Sequence, residues 1–256
     1  MSEIAFPKMF AGVRALISRQ KYPVRRLPWL AMLPTDIGLF LKSARTDARV
    51  AGVRRRAGSQ AAFDSAYRES DDPWASASPC YRYQSLKYEK LVALLPRKRF
   101  ENALDLGCGL GLLSQRLTSR ADHVLGMDIS PVAIGHACRR ARAFDKLTFE
   151  QGDILNLSSS LDGKFDLVVA ADVLYYLSPL DEDLLHSVAR RIARLLTPGG
   201  TCLLANHFFF HADPDSRLSR KIHHAFEVSP HFAMISEHRK AFFLATLFSK
   251  RGLCPE

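Results

Sequence analysis

Between residues 102 and 206, short apolar runs alternate with segments of helical periodicity, and this alternation restricts the fold more than any other feature of the chain. Residues 103–106 are a short strand-like run, 110–117 read as a helix, 123–127 as a second strand, 147–151 as a third and 165–170 as a fourth. The fourth is apolar throughout, as a strand covered on both faces should be. Ser130-Pro131 opens the helix after the second strand, with a hydroxyl that can accept from orphan N–H groups and a proline suited to the first helical position. Asp181, Glu182 and Asp183 put carboxylates at the positive end of a later helix, and Arg190, Arg191 and Arg194 lie near its negative end. Leu184, Leu185, Val188, Ile192 and Leu195 form the apolar stripe of that helix. Pro198-Gly199-Gly200 is expected to stop it before a fifth strand over residues 201–206. Such alternation predicts an α/β, doubly wound and mostly parallel sheet with helices on both faces. At the C-terminal end the rhythm breaks, and residues 232–236 and 241–248 predict an antiparallel hairpin that brings the sheet to seven strands.

With 256 residues, 47% of them hydrophobic, the chain can bury one large core and carry an appendage. Charge marks the appendage. Residues 1–60 hold twelve Lys and Arg against three acids (Glu3, Asp36, Asp47), nine of the ten net positive charges. We therefore divide the chain into a basic, amphipathic, helical N-terminal arm (1–60) and a domain over 61–256 whose first part, 61–100, is a lid segment. In the arm, Phe10, Val13 and Ile17 share one helical face. Ile37, Phe40, Leu41, Ala44 and Ala48 share another, flanked by Arg45 and Arg49. A Pro-rich link over residues 22–34 separates the two, and Arg54-Arg55-Arg56 followed by Gly58 and Ser59 marks the arm's end. No stretch is apolar and long enough to cross a bilayer, and no secretory apolar region begins the chain. The arm's composition also fits a mitochondrial presequence, against which its internal prolines stand. Five cysteines without a CxxC pair read as reduced thiols, with Cys108 and Cys202 inside apolar runs, which places the expected compartment in the cytoplasm.

The chemistry concentrates in Leu104-Asp105-Leu106-Gly107-Cys108-Gly109-Leu110-Gly111, a strand running through a glycine-rich turn into a helix. The next acid at a strand end is Asp128, the position that meets ribose hydroxyls in doubly wound folds. A dinucleotide fingerprint would want a third glycine at position 112, which is Leu, and an oxidoreductase reading is disfavoured accordingly. D-x-G-x-G-x-G followed by an acid ending the second strand resembles class I methyltransferases of Rossmann-like fold. Gln151-Gly152-Asp153-Ile154, Phe165-Asp166-Leu167-Val168-Val169 and Leu196-Thr197-Pro198-Gly199-Gly200 match further segments of that family in order. Asp72-Pro73-Trp74, Tyr83-Gln84-Ser85-Leu86-Lys87-Tyr88 and Asp172-Val173-Leu174-Tyr175-Tyr176-Leu177 resemble the nodulation-protein S branch, with Gln84 where that branch usually has Glu. The resemblance implies S-adenosylmethionine as cofactor and methyl transfer to a small or medium-sized acceptor, an amine of an amino sugar or similar metabolite first and a hydroxyl second.

It also implies a set of site residues. Gly107, Gly109 and Gly111 would meet the methionine end of the donor, Asp128 its ribose, and Ile129, Asp153 and Ile154 its adenine. Asp105 would orient the donor amine, while Tyr83 and Lys87 would reach its carboxylate, the bland alternative for this pair being a solvated amphipathic helix. Asp172, Tyr175 and Tyr176 leave the fourth strand at the carboxyl edge where α/β sites lie. Residues 206–211 leave the fifth, and Asp172, His207 and Tyr175 are the candidate catalytic groups. His207 and His211 lack a third ligand, so no metal site is expected, and His223-His224 reads as surface helix. Two rival classes remain. A nucleic-acid methyltransferase is prompted by the basic arm but opposed by the charge-balanced core and by Ala170-Ala171-Asp172-Val173 in place of an Asn/Asp-Pro-Pro-Tyr exit. A non-catalytic S-adenosylmethionine-binding subunit is the other. The arm itself reads either as a cover over the donor pocket or as a peripheral contact with an anionic membrane.

Overall fold

The computed structural model describes residues 34–208, 214–240 and 242–252. The first amphipathic stretch of the arm, His211 and Cys254 lie outside these residues. Seven strands form one sheet: β1 (Phe100–Leu106), β2 (Ala121–Asp128), β3 (Leu147–Gln151), β4 (Phe165–Ala171), β5 (Leu196–His207), β6 (Phe232–Lys240) and β7 (Phe243–Lys250). Their order is β3-β2-β1-β4-β5-β7-β6, parallel from β3 to β5 and antiparallel across β5–β7 and β6–β7. The helices are α1 (Pro34–Ala57), α2 (Ser59–Glu69), α3 (Arg82–Leu94), α4 (Leu112–Leu117), α5 (Pro131–Arg140), α6 (Glu182–Leu195) and α7 (Pro214–Glu227).

The alternation of side chains along β4 divides the core. Val168 and Ala170 pack with Leu185, Val188 and Ile192 of α6 and with Ile222 and Phe226 of α7. Leu167 and Val169 face the other way, with Leu91 of α3 and Leu113 and Leu117 of α4. Both layers exclude water almost fully, which is the main favourable term in holding a sheet between helices. The expected caps are in place. Ser130 Oγ accepts from Ala133 N–H at 3.2 Å, and an Asp181 carboxyl oxygen accepts from Leu184 N–H at 2.8 Å. Gly111, at φ 72°, turns the chain into α4, and the Phe149 ring fills the space beside it: a Cβ on Gly111 would lie 2.5 Å from that ring, and one on Gly126 of β2 2.6 Å.

Three expectations need correction. The α6 helix ends at Leu195, before the Pro-Gly-Gly turn, because Leu196 already pairs with Phe165. Pro198–Gly200 is instead an irregularity inside β5, where the pairing jumps from Phe165↔Leu196 to Leu167↔Thr201. His223 is not a surface residue. It is 3% exposed, bonded through Nδ1 to Thr246 Oγ1 (2.7 Å) and through Nε2 to Asn206 Oδ1 (3.0 Å), and burial lowers its pKa to about 3. Of the two neighbouring histidines, His224 is the exposed one. Finally, α1 does form, but the face it buries is the mixed one. Asp36, Thr46 and Val50 are buried, whereas Ile37 and Leu41 are 48% and 50% exposed beside exposed Ala44, Arg45, Ala48 and Arg49.

Candidate active site

The glycine turn is held against the end of β2. Gly107 N–H and Cys108 N–H both donate to Met127 O, at 2.7 and 3.0 Å. Gly107 sits at φ 70°, and a Cβ there would come within 2.3 Å of Val173 Cγ2, so the turn leaves no room for a side chain. Two residues on, Gly109 N–H donates to Asp128 Oδ2 (3.0 Å), and Ser130 N–H donates to Asp128 Oδ1 (2.9 Å). Ile129 N–H adds a third pull, and a carboxylate with about four acceptor sites still keeps capacity to offer outward. Burial pushes the Asp128 carboxyl up to about 6, against the pull of those N–H groups.

A cavity of about 300 Å³ opens at this carboxyl edge, a size usual for small-molecule sites. Gly107, Gly109, Asp128, Ile129, Asp153, Ile154, Tyr83 and Lys87 line it, and so do Asp172, Tyr175 and His207. Two expected residues do not. Gly111 serves the α4 turn, and Asp105 lies behind the glycines, 2% exposed, accepting from Ser114 Oγ at 2.6 Å. Burial raises the Asp105 carboxyl to about 7. Asp153 also braces its own loop, since its two oxygens accept from Leu155 N–H and Asn156 Nδ2, both at 2.9 Å.

The helix carrying Tyr83 and Lys87 is not a solvated one. Lys87 is 3% exposed, and its ammonium forms an ion pair with Asp172 Oδ2, so the two candidates meet each other. Asp172 stands at φ 54°, a left-handed conformation that Asp tolerates better than most residues, with its N–H donating to Ala205 O at 2.8 Å. Its Oδ1 is buried and has no hydrogen bond among the described residues. The Tyr175 ring stands edge-on to His207, 4.8 Å between centroids, and burial raises its hydroxyl well above the ordinary value. Among the described residues no cluster of His, Cys, Asp and Glu could hold a metal ion.

Among the lining residues that received no role from the sequence are Asp47, Phe63, Tyr67 and Trp74, and they meet Tyr176 of the strand-four exit. The four come from α1, α2 and the loop after it, and Tyr176 from the turn after β4. Asp47 Oδ1 accepts from Trp74 Nε1 (2.7 Å) and from the Tyr176 hydroxyl. Thr46 Oγ1 donates to Pro73 O at 2.8 Å, and Arg54 donates to Tyr176 O. These bonds lay α1 across the cavity mouth. α2 is anchored differently, by Ser130 Oγ donating to Asp64 Oδ1 at 2.5 Å. The Asp72-Pro73-Trp74 run was a signal for part of this group; nothing local marked Asp47.

Residues 98–240, more than half of the chain, match the methyltransferase-domain family. With the sheet order, the glycine turn and Asp128 in place, the chain belongs to the class I S-adenosylmethionine-dependent methyltransferases. Within them it is similar to nodulation protein S of Rhizobium tropici, 29% identical over 152 residues, which are 59% of this chain and 59% of that protein. It is also similar to the ubiquinone biosynthesis O-methyltransferase of Alkalilimnicola ehrlichii, 28% identical and matched over 55% of each chain. The chain thus spans little more than half the length of these curated relatives. The crystal structure of the N-methyltransferase NodS from Bradyrhizobium japonicum WM9 with S-adenosyl-L-homocysteine has the same fold. It superposes with a TM-score of 0.59 at 20% identity, covering 82% of this chain and 99% of that one.

S-adenosylmethionine is the cofactor of this fold, and the residues present fit it. Asp128 offers unused lone pairs at the strand end where a ribose would lie, Ile129 and Ile154 offer apolar faces beside it, and the glycines leave the methionine end unobstructed.

Proposed function

We propose that the protein methylates an amine on a small or medium-sized acceptor, an amino sugar or similar metabolite, with a hydroxyl acceptor as the second choice. The observation that carries this reading is the chemistry of the cavity's far half, where aromatic walls enclose Asp47 and Asp172, and Lys87 is paired with the second of these carboxylates. The names of the relatives point both ways on the atom: an N-methyltransferase among the solved structures and an O-methyltransferase among the curated proteins.

When bound, S-adenosylmethionine supplies a methyl group already activated by the sulfonium charge. The chain's own residues must then align, exclude water and manage one proton, and alignment alone can supply several kcal/mol of the barrier. In this reading Gly107, Gly109 and Asp128 fix the donor, with Asp153 and Ile154 at its adenine. Lys87 has three N–H donors, so its pairing with Asp172 leaves others for the donor carboxylate. Asp172, Tyr175 and His207 form the wall that faces the acceptor.

The test is to incubate the protein with isotopically labelled S-adenosylmethionine and a small-molecule cell extract, then identify by mass spectrometry the compound that gains a methyl group. N-methylation of an amine is expected. An O-methylated product would overturn the amine choice, and label transfer to RNA alone would overturn the small-acceptor reading.

A second reading concerns the outer face of α1. Ile37 and Leu41 are exposed beside Lys42, Arg45 and Arg49, a pattern suited to lying on an anionic membrane surface. Among the described residues no helix is long and apolar enough to cross a membrane. A covering role for the inner face and a surface contact through the outer face are compatible.

A further inference from the structure

The cavity holds three carboxylates away from the donor-binding edge, Asp47, Asp172 and the exposed Asp215 beside His207, and they differ in their countercharge. Asp172 is paired with Lys87. Asp47 has no Lys or Arg partner among the described residues: its bonds are the two that Oδ1 accepts from Trp74 Nε1 and Tyr176 OH, while Oδ2 accepts none. A carboxylate withdrawn from water without a cation is costly unless a cation arrives from elsewhere. The surroundings suit an arriving cation. Trp74 and Tyr176 reach the carboxylate by their polar edges, and the Tyr176 ring packs in turn 5.1 Å from Phe63, 6.4 Å from Trp74 and 4.5 Å from Tyr175, so the carboxylate borders an aromatic cluster. Aromatic faces attract ammonium groups, more so when water is excluded.

We propose that Asp47, carried by α1, is the carboxylate that receives the acceptor's ammonium group, in an acidic and aromatic subsite walled by Phe63, Trp74 and Tyr176. The proposal rests on the amine reading above and adds the residue that recognises the amine. It gives α1 a part in the reaction that a mere cover would not have.

An ammonium nitrogen is no nucleophile, so one proton must leave before transfer. The N–H electron pair stays on nitrogen and the proton passes to Asp47 Oδ2. The freed pair then forms the N–C bond while the C–S pair departs with the sulfur, which ends as an uncharged thioether. Asp47 suits this better than Asp172, which Lys87 holds in an ion pair. Burial raises the Asp47 carboxyl, and the nearby Asp172 adds to the rise. The bonds from Tyr176 and Trp74 and the facing His207 oppose it.

The experiment is calorimetric titration of the full chain, saturated with S-adenosylhomocysteine, with D-glucosamine and with its uncharged counterpart N-acetyl-D-glucosamine. The unaltered protein is expected to prefer the ammonium sugar at least about tenfold. Asp47→Asn, which keeps an oxygen for Trp74 and Tyr176 but removes the charge, is expected to lose that preference while S-adenosylhomocysteine binds within about twofold of the unaltered affinity. Asp47→Glu, which restores the charge, is expected to recover part of it. Preference surviving in Asp47→Asn, or none in the unaltered protein, overturns the proposal. Should the extract experiment yield an O-methylated product, the amine reading fails by itself. An N-methylated product together with undiminished preference in Asp47→Asn sinks only the role of Asp47.

Discussion

The two halves of the cavity are built in different ways. The donor half is local: Gly107 and Gly109 lie in the turn after β1 and Asp128 ends the neighbouring parallel strand β2, joined by Gly107 N–H to Met127 O and by Gly109 N–H to the Asp128 carboxyl. The acceptor half is assembled from distant segments. Asp47 meets Tyr176 across 129 positions, Lys87 meets Asp172 across 85, and Asp47 meets Trp74 across 27. A half closed by backbone geometry has few ways to vary, while one closed by side chains from many segments can change its ligand by exchanging any of them. On the proposed assignment, donor binding rests on the local half and the choice of acceptor on the half assembled from distant segments.

The sharpest way to break that comparison is to remove the buried ion pair in the acceptor half. Lys87→Met leaves the Asp172 charge unpaired and should lower stability by about 2 kcal/mol, less than for a fully buried pair because Asp172 retains some solvent. The double variant Lys87→Met/Asp172→Asn should recover part of the loss in chemical denaturation. Strict additivity of the two single changes would mean that the acceptor half is not a coupled unit.

The donor half is tested by Asp128→Ala, which removes the acceptor for Gly109 and Ser130 N–H as well as the expected ribose contact. S-adenosylhomocysteine affinity should fall by about 1–3 kcal/mol in a protein that still unfolds cooperatively. Unchanged affinity would dissolve the distinction between the two halves.

Asp105 tests what lies behind the glycines. Its carboxyl is raised from 3.8 to about 7, so between those values the folded state holds more protons than the unfolded state. Its contribution is therefore present at low pH and lost as pH rises through that window. Relative to Asp105→Asn, the unaltered protein should lose stability from about pH 4 to pH 7, read from melting temperatures without ligand. A difference between the two that stays flat across the window would show that Asp105 is already charged in the folded state.

The smallest effect belongs to the outer face of α1. Ile37→Ser/Leu41→Ser should change stability by no more than about 0.5 kcal/mol, since both side chains are about half exposed, yet weaken retention on anionic vesicles at low salt. No sedimentation of the unaltered protein with such vesicles would end the surface reading.

The contrast also explains what the sequence disclosed. The order of the strands, the Ser130 and Asp181 caps, the hairpin and the glycine turn rest on short-range patterns and are found as the patterns put them, apart from the early start of β5 at Leu196. Lys87 and Asp172 were both singled out, but their pairing is a fact of three dimensions: nothing in a helix and a loop 85 positions apart announces it. Asp47 sat in a basic helix whose apolar residues drew attention to the wrong face, because the inner face of α1 gains polar partners from Pro73, Trp74 and Tyr176 and only a small apolar cluster, Val50 with Ala62 and Ala66. His223 misled for a similar reason. A histidine on a polar-looking helix reads as exposed until Asn206 and Thr246, on two other elements, are known to receive it.

The Phe149 ring, wedged against Gly111 and Gly126, ties three positions into one evolutionary unit. A methyl added to either glycine would meet that ring at 2.5–2.6 Å, so neither can drift while the phenylalanine stays. A lineage in which Phe149 first becomes Leu or Val loosens Gly126, whose backbone any residue can adopt, leaving Cys108 Sγ at 3.1 Å as the neighbour that must still give way. It gains no freedom at Gly111, whose left-handed φ of 72° still excludes most side chains. Substitution at Gly126 is thus conditional on history, open to descendants of one ancestor and closed to those of another, though both fold into the same sheet.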